Sequence, residues 1–198
     1  MLTRKSQLLI ILIIIITMFT MPVFSEESTR FSFRNGISFG MSEEELIQTE
    51  EKQNQVDKTS WHSGVVNNWR VIMTLDTKVK VSSYEALISY YLADNKMEVA
   101  AYGFFNNVNE TMYDTISKAV TAVYGEGKPV TAKEIMTRMD CIVTDESIES
   151  EISHGFIWEL ENVVIYQYYL GDDSFILLYT NPNFDYESTK RHIDTIGI

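Results

Sequence analysis

The chain carries 28 acidic against 16 basic side chains over 198 residues, a formal charge of −12. That balance repels nucleic acid and anionic lipid, so no nucleic-acid partner is expected, while the single cysteine, Cys141, excludes an internal disulfide. The length suits one compact domain or two small units sharing a core, and without a Gly/Ser linker or Pro-rich hinge one packed domain is the simpler expectation.

Arg4 and Lys5 precede an unbroken apolar run from Leu8 to Ile16, extended through Met18 and Phe19, and Val23-Phe24-Ser25 offers small or tolerated side chains at a cleavage site. This order of charge, apolar run and small residues is that of a secretory signal, so residues 1–25 are expected to be removed and 26–198 to act as a secreted or extracytoplasmic α+β domain. The competing reading is an uncleaved membrane anchor. The run is short for a span of about 20 residues, and the Met21-Pro22 step breaks its helix, so no stable membrane insertion is expected after cleavage. No cysteine near the end of the run offers a site for lipid attachment. Removal takes two basic and no acidic residues, which leaves the mature chain more acidic still.

Ser42 is placed to cap the amides three residues on, with Glu45 reaching back and Met41 packing on Leu46, a capping box with a hydrophobic staple. Glu43, Glu44 and Glu45 then sit where the positive end of the helix dipole favours anions, which accounts for them without metal. From Glu85 to Phe105 the period drops to two. A tight turn at Asp94-Asn95 pairs Leu92 with Met97, Tyr90 with Val99 and Ile88 with Ala101 on one face, with Tyr91 on the other. A second helix follows Asn109, with apolar positions Met112, Ile116, Ala119, Val120 and Val123; Gly125 ends it and Pro129 prevents its resumption. Asn109-Glu110-Thr111 also reads as a glycosylation sequon, for which a helix cap is the competing use.

Residues 130–153 read as a loop-rich excursion, with a short helix over Ala132 to Met139 through Ile135 and strand-like Cys141-Ile142-Val143. From Val163 to Thr180 the hairpin pattern returns around Asp172-Asp173, facing Leu170 with Phe175, Tyr168 with Leu177 and Tyr166 with Tyr179. Tyr186 to Ile196 reads as a closing helix. Tyr90-Tyr91-Leu92-Ala93-Asp94-Asn95 aligns without a gap on Tyr168-Tyr169-Leu170-Gly171-Asp172-Asp173, each hairpin preceded by a Trp-led segment at Trp69 or Trp158. A helix followed by three antiparallel strands, occurring twice as 26–105 and 106–198, is the architecture expected: helices packed on antiparallel sheet.

Gly40-Met41-Ser42-Glu43-Glu44-Glu45-Leu46 resembles the helix opening of SmpA/OmlA-type small envelope proteins, and Tyr124-Gly125 with Pro129 is similar to their Gly-Pro element after a helix. The doubled helix-plus-sheet plan is similar to the beta-lactamase inhibitor protein fold. These resemblances imply a non-enzymatic, protein-binding scaffold outside the cytoplasm, with no catalytic residues carried over.

Chemistry has one sharp motif. Gly36-Ile37-Ser38-Phe39-Gly40 has the spacing of a nucleophile elbow, in which glycines let a strained strand-to-helix turn expose Ser38, with His154 or His192 as base. Against it, the helix is expected to start at Ser42, and no βαβ units precede the serine. His62, His154 and His192 lack zinc-site spacing, the acidic turns lack the ligand pattern of a calcium loop, and Gly125 to Pro129 lacks that of a phosphate loop. No cofactor, metal or enzymatic activity is expected. The remaining hint is aromatic. Alternation puts Tyr91 and Tyr169 on the sheet face away from the helices, where a solvent-facing tyrosine stripe suits recognition and packing is the competing use. The leading expectation is an exported, non-catalytic domain binding a protein or envelope component through its sheet. The alternatives are a secreted serine hydrolase using Ser38, and a carbohydrate- or lipid-binding module using the tyrosine face.

Overall fold

The computed structural model describes residues 31–66, 69–75, 77–105, 108–139, 152–170 and 174–184. The leader, Cys141, the Asp172-Asp173 turn, His192 and the segment Tyr186 to Ile196 lie outside the described residues. Local chemistry sets where the helices begin. Before α1 (Glu43–Asn54), the Ser42 amide donates to Glu45 Oε2 at 2.8 Å and the Glu45 amide returns to Ser42 Oγ at 3.4 Å, the capping box read from the sequence. The Ser42 amide and hydroxyl, both donating to it, hold the Glu45 carboxyl below the usual carboxylate range. Gln55, in the left-handed region, ends the helix.

Helix α2 (Glu110–Tyr124) starts on Asn109, whose Oδ1 accepts from the Met112 amide at 2.9 Å, and stops at Gly125, where φ is +83°. Its buried stripe is Met112, Tyr113, Ile116 and Val120. Ala119 and Val123, expected inside, face solvent, because the stripe turns through Tyr113. The short helix α3 (Ala132–Met139) forms where expected, opened by a Thr131–Glu134 box.

Two short strands, β1 (Ser32–Arg34) and β2 (Ile37–Ser38), pair with each other before α1. The other strands are β3 (Trp61–Val66), β4 (Trp69–Thr74), β5 (Val79–Val81), β6 (Tyr84–Ala93), β7 (Lys96–Phe105), β8 (Lys128–Val130), β9 (Ile152–Glu159), β10 (Val164–Leu170) and β11 (Ser174–Thr180). They form one antiparallel sheet in the order β3-β4-β6-β7-β11-β10-β9-β8, with β5 paired on β6. The protein is thus a mixed α+β fold in which a small helical component packs on a large antiparallel sheet. Each half contributes four strands to this path, where the sequence pattern had suggested three, because β3 and β8 extend the two ends.

Both faces of the sheet are buried. On one, Leu46 of α1 and Ile116 of α2 join Ile72, Ile88, Tyr90, Phe104, Phe175 and Leu177 in a single cluster. On the other, Trp69, Val71, Val99, Ile157, Tyr166, Tyr168 and Leu178 pack with Ile135 of α3. Gln167, fully buried on β10, donates to the Tyr113 carbonyl at 3.3 Å and to Ser117 Oγ at 2.8 Å, fastening α2 to its half of the sheet.

The hairpins form with a different register from the one the alternation suggests. Asp94 and Asn95 both have positive φ, as a two-residue type I′ turn requires, and Leu92 faces Met97 as expected. The next pairs are Tyr91 with Val99 and Tyr90 with Ala100, because Glu98 is an extra residue in β7. Its carboxylate accepts from Asn181 Nδ2 at 2.6 Å and its carbonyl from the Asn181 amide at 2.9 Å, so the bulge is held by the chain leaving β11. In the second hairpin three residues separate Leu170 from its partner Ser174, and the register becomes Tyr169 with Phe175, Tyr168 with Ile176 and Tyr166 with Leu178. The gapless alignment of the hairpins fails for this reason, since it superposes Tyr90 of the helix face on Tyr168 of the opposite face. The Trp-led parallel fails too: Trp69 opens β4 on the second face, whereas Trp158 sits near the end of β9 against the helices.

Gly155 on β9 is where packing is tightest against a backbone. A Cβ there would lie 2.6 Å from the Gln167 carbonyl oxygen and 2.9 Å from Ile135 Cδ1, so β10 or α3 would have to move. Gly155→Ala is expected to lower unfolding stability by about 1–3 kcal/mol, as other overpacked sites do. Gly64→Ala, on β3 where an added Cβ would meet no atom within 4 Å, should change it by under about 0.5 kcal/mol. Chemical denaturation of the two variants side by side measures the difference, and equal stabilities would contradict the packing described.

Candidate binding surface

The two tyrosines singled out from the sequence lie on opposite faces. Tyr91 is on the face away from α1 and α2, packed edge-on to Trp69 at 6.4 Å between ring centres, and burial raises its pKa. Tyr169 is on the helix face, stacked on Tyr113 of α2 at 4.4 Å and 16°. The expected shared stripe is corrected by the three-residue gap before Ser174, which flips the side-chain alternation of β10. Nor is the second face open: Tyr168 and Val99 are buried in it, and Phe184 lies 5.4 Å from Trp69. Packing, the competing use, describes these rings.

Ser38 lies on β2, opposite Ser32 in an antiparallel pair, with its amide 3.3 Å from Met41 Sδ. The positive φ values of Gly36 and Gly40 serve the hairpin turn and the link to Met41, and α1 begins only at Glu43. A strand-elbow-helix turn is therefore not formed around Ser38. His62 is exposed on β3, and the side chain of His154 and all of His192 lie outside the described residues. Among the described residues no group of three His, Cys, Asp or Glu side chains is placed to hold a metal, and no helix is long and apolar enough to cross a membrane.

The sheet ends differently at its two sides. β8 is three residues long, and its Pro129 has no amide to donate, a blunted edge. β3 is six residues long, terminal in the strand order, and exposed from His62 to Val66, with Val65 at 68% and Val66 at 47%. β3 and β4 close on the pair Val66–Trp69. In such a hairpin Val66 and Gly64 exchange hydrogen bonds with β4, and the amides and carbonyls of Ser63 and Val65 point away from it.

Two contacts position this strand. Arg70, opposite Val65 on β4, donates from Nη2 to Ser63 Oγ at 3.1 Å, and from Nε and Nη2 to the Glu43 carboxylate at 2.8 and 3.1 Å. At its start, Trp61 stacks on Tyr90 at 5.7 Å. The Tyr90 hydroxyl in turn donates to Glu50 of α1, whose fully buried carboxylate lies 3.4 Å from Arg34 Nε on β1. Glu50 Oε2, Arg34 Nη1 and Trp61 Nε1 are buried with no hydrogen-bond partner among the described residues. Burial, opposed by the Tyr90 hydroxyl and the Arg34 charge, pushes the Glu50 carboxyl above its usual range, and burial pushes the Tyr90 phenol far up as well.

Along α1, Glu43, Glu44, Ile47, Gln48 and Glu51 line a groove of about 430 Å³ that Lys58 and Asn95 complete, and Glu43, bound to Arg70, ties it to β3 by way of Ser63. Sequence reasoning treated the glutamates as a helix start and passed over β3. The signal available there was the weak alternation of Trp61 to Val66, polar until two adjacent valines, which is how an edge strand reads. Comparison with protein-family models, curated proteins and solved structures finds no match to the chain.

Because Glu50 is held above its ordinary pKa, the folded chain binds this proton more tightly than the unfolded chain does. Its contribution to stability is complete below the ordinary carboxylate range and is lost as pH rises through the raised value. Denaturation of wild type and Glu50→Gln across this range is expected to show their difference moving in favour of wild type as pH falls, by about 1.4 kcal/mol for each unit of upward shift. A difference independent of pH would place Glu50 in a well-solvated state, and one favouring wild type as pH rises would mean that Arg34 and Tyr90 outweigh burial and hold it charged.

Proposed function

We propose that the chain is an exported, non-catalytic binding scaffold that recognises a protein or cell-envelope component through the open end of its sheet. The observation that carries this reading is the exposure of β3 in a sheet whose two faces are otherwise buried. A scaffold that binds through its sheet has that end left to offer. Export rests on the charge-apolar-small order of residues 1–25 and fits an acidic, single-cysteine chain.

The scaffold reads as two helix-plus-strand units joined in one sheet. In support, the path is alike from either end: the last strands of the halves, β7 and β11, meet at the centre, and β3 and β8, which come after α1 and α2, lie outermost, with β5 alone added beside β6. Both α1 and α2 pack on one face, as a two-fold axis through the β7–β11 seam and normal to the sheet would require. The resemblance to the beta-lactamase inhibitor protein fold points the same way, and with the SmpA/OmlA-like helix opening it favours a protein-binding role outside the cytoplasm.

A photoreactive amino acid placed at Val66 in the full chain, expressed in its own cells, is expected to cross-link one defined partner that binds the purified protein in solution. The same group at Val123, exposed on α2, should not. The exported product should begin at Glu26 by mass spectrometry. Equal cross-linking from both positions would refute recognition at β3, and an intact leader on cytosolic protein would refute export.

A further inference from the structure

We infer that the occupant of the β3 edge is an extended, cationic segment of a partner protein, added to the sheet as a further strand; this rests on the scaffold reading above. Backbone comes first. By the β3–β4 register, Ser63 and Val65 direct their amides and carbonyls outward, with no strand paired on that side among the described residues, and a Cβ added at the neighbouring Gly64 would meet open space. Such an edge takes a strand of almost any sequence through main-chain hydrogen bonds, and the side chains flanking it decide which one.

Those flanking side chains are acidic. Ser63 and Val65 share the helix face of the sheet with Arg70, whose charge is already bound by Glu43. Next to that pair the groove along α1 presents Glu44 and Glu51, both exposed, with Lys58 as the one cation among its lining residues. A strand laid beside β3 therefore places alternate side chains toward net negative charge, and the chain as a whole, at −12, repels an acidic partner before contact. Ile47 in the groove and Val65 on the edge supply apolar surface for the stems of lysine or arginine side chains. The same charge argues against a second copy of this chain as the occupant. Two acidic rims would then face each other across the new pairing.

The test uses two synthetic peptides as long as β3, one alternating valine with lysine and one alternating valine with glutamate, titrated into the isotope-labelled mature chain while backbone amides are followed by NMR. The lysine peptide is expected to shift the amides of Ser63 to Val66 and to weaken with added salt, and the glutamate peptide to leave them unmoved. Glu44→Lys with Glu51→Lys, both on the exposed side of α1, should weaken the lysine peptide about tenfold, the scale of one or two lost charge pairs near a surface. Val65→Pro, which removes an outward amide and leaves the β4 ladder intact, should abolish binding, with a thermal melt confirming that the variant folds. Equal binding of both peptides at β3 would overturn the cationic preference and leave the scaffold reading standing. Lysine-peptide binding that survives Val65→Pro and shifts only α1 amides would overturn strand addition. Concentration-dependent pairing of the chain through β3, seen by sedimentation, would replace the proposed occupant with a second copy. No shift at β3 with either peptide would overturn the inference, while the cross-link from Val66 separately decides the scaffold reading.

Discussion

The pairing of β7 with β11 is the joint on which everything else hangs. It runs from Phe105 opposite Ser174 to Val99 opposite Thr180, and it is where the N-terminal and C-terminal strands become one sheet. The fit across it is between unequal residues: Ala100, Ala101 and Gly103 of β7 lie opposite Tyr179, Leu178 and Ile176 of β11. Small residues on one strand admit large ones on the other, and Phe104 stacks on Phe175 at 4.2 Å to close the helix side. The bulge at Glu98 and its two bonds to Asn181 lock the end of the same seam. Without this joint each half would expose a long apolar edge and one unshielded face.

Much of the secondary structure was legible because its signals are local. The Ser42 and Glu45 pair, Asn109 with Gly125, and the Asp94-Asn95 turn each rest on a few neighbouring residues whose chemistry admits few alternatives. Register was not legible, because one extra residue in either strand inverts every face beyond it. Glu98 looks like any polar member of an alternating strand until Asn181, distant in sequence, gives it two partners. The gap before Ser174 likewise turned Tyr169 toward Tyr113 and spoiled the idea of a shared tyrosine stripe. The candidate surface was hidden for another reason. Whether a strand is terminal in a sheet depends on what fails to pair with it, and the weak alternation of Trp61 to Val66 fits an edge strand without fixing which strands leave it unpaired.

The buried carboxylate of Glu50 links these two levels. It joins the β1–β2 hairpin through Arg34, the sheet through Tyr90 and, by the stacked Trp61, the first residue of the exposed strand. A buried ion pair with unsatisfied atoms is a poor source of net stability, since desolvation offsets most of its attraction. What it does supply is position. Arg34, Glu50 and Tyr90 satisfy one another best in one arrangement, so hairpin, helix and sheet are held in a single relative placement, and β3 starts from a fixed point.

The unequal ends of the sheet also set its valency. A head-to-tail filament requires two complementary edges on every copy, and β8, short and carrying Pro129, offers no ladder for an incoming β3. Copies of this chain therefore have a long edge and a blunted one, and the sheet cannot propagate from copy to copy by docking β3 of one on β8 of the next.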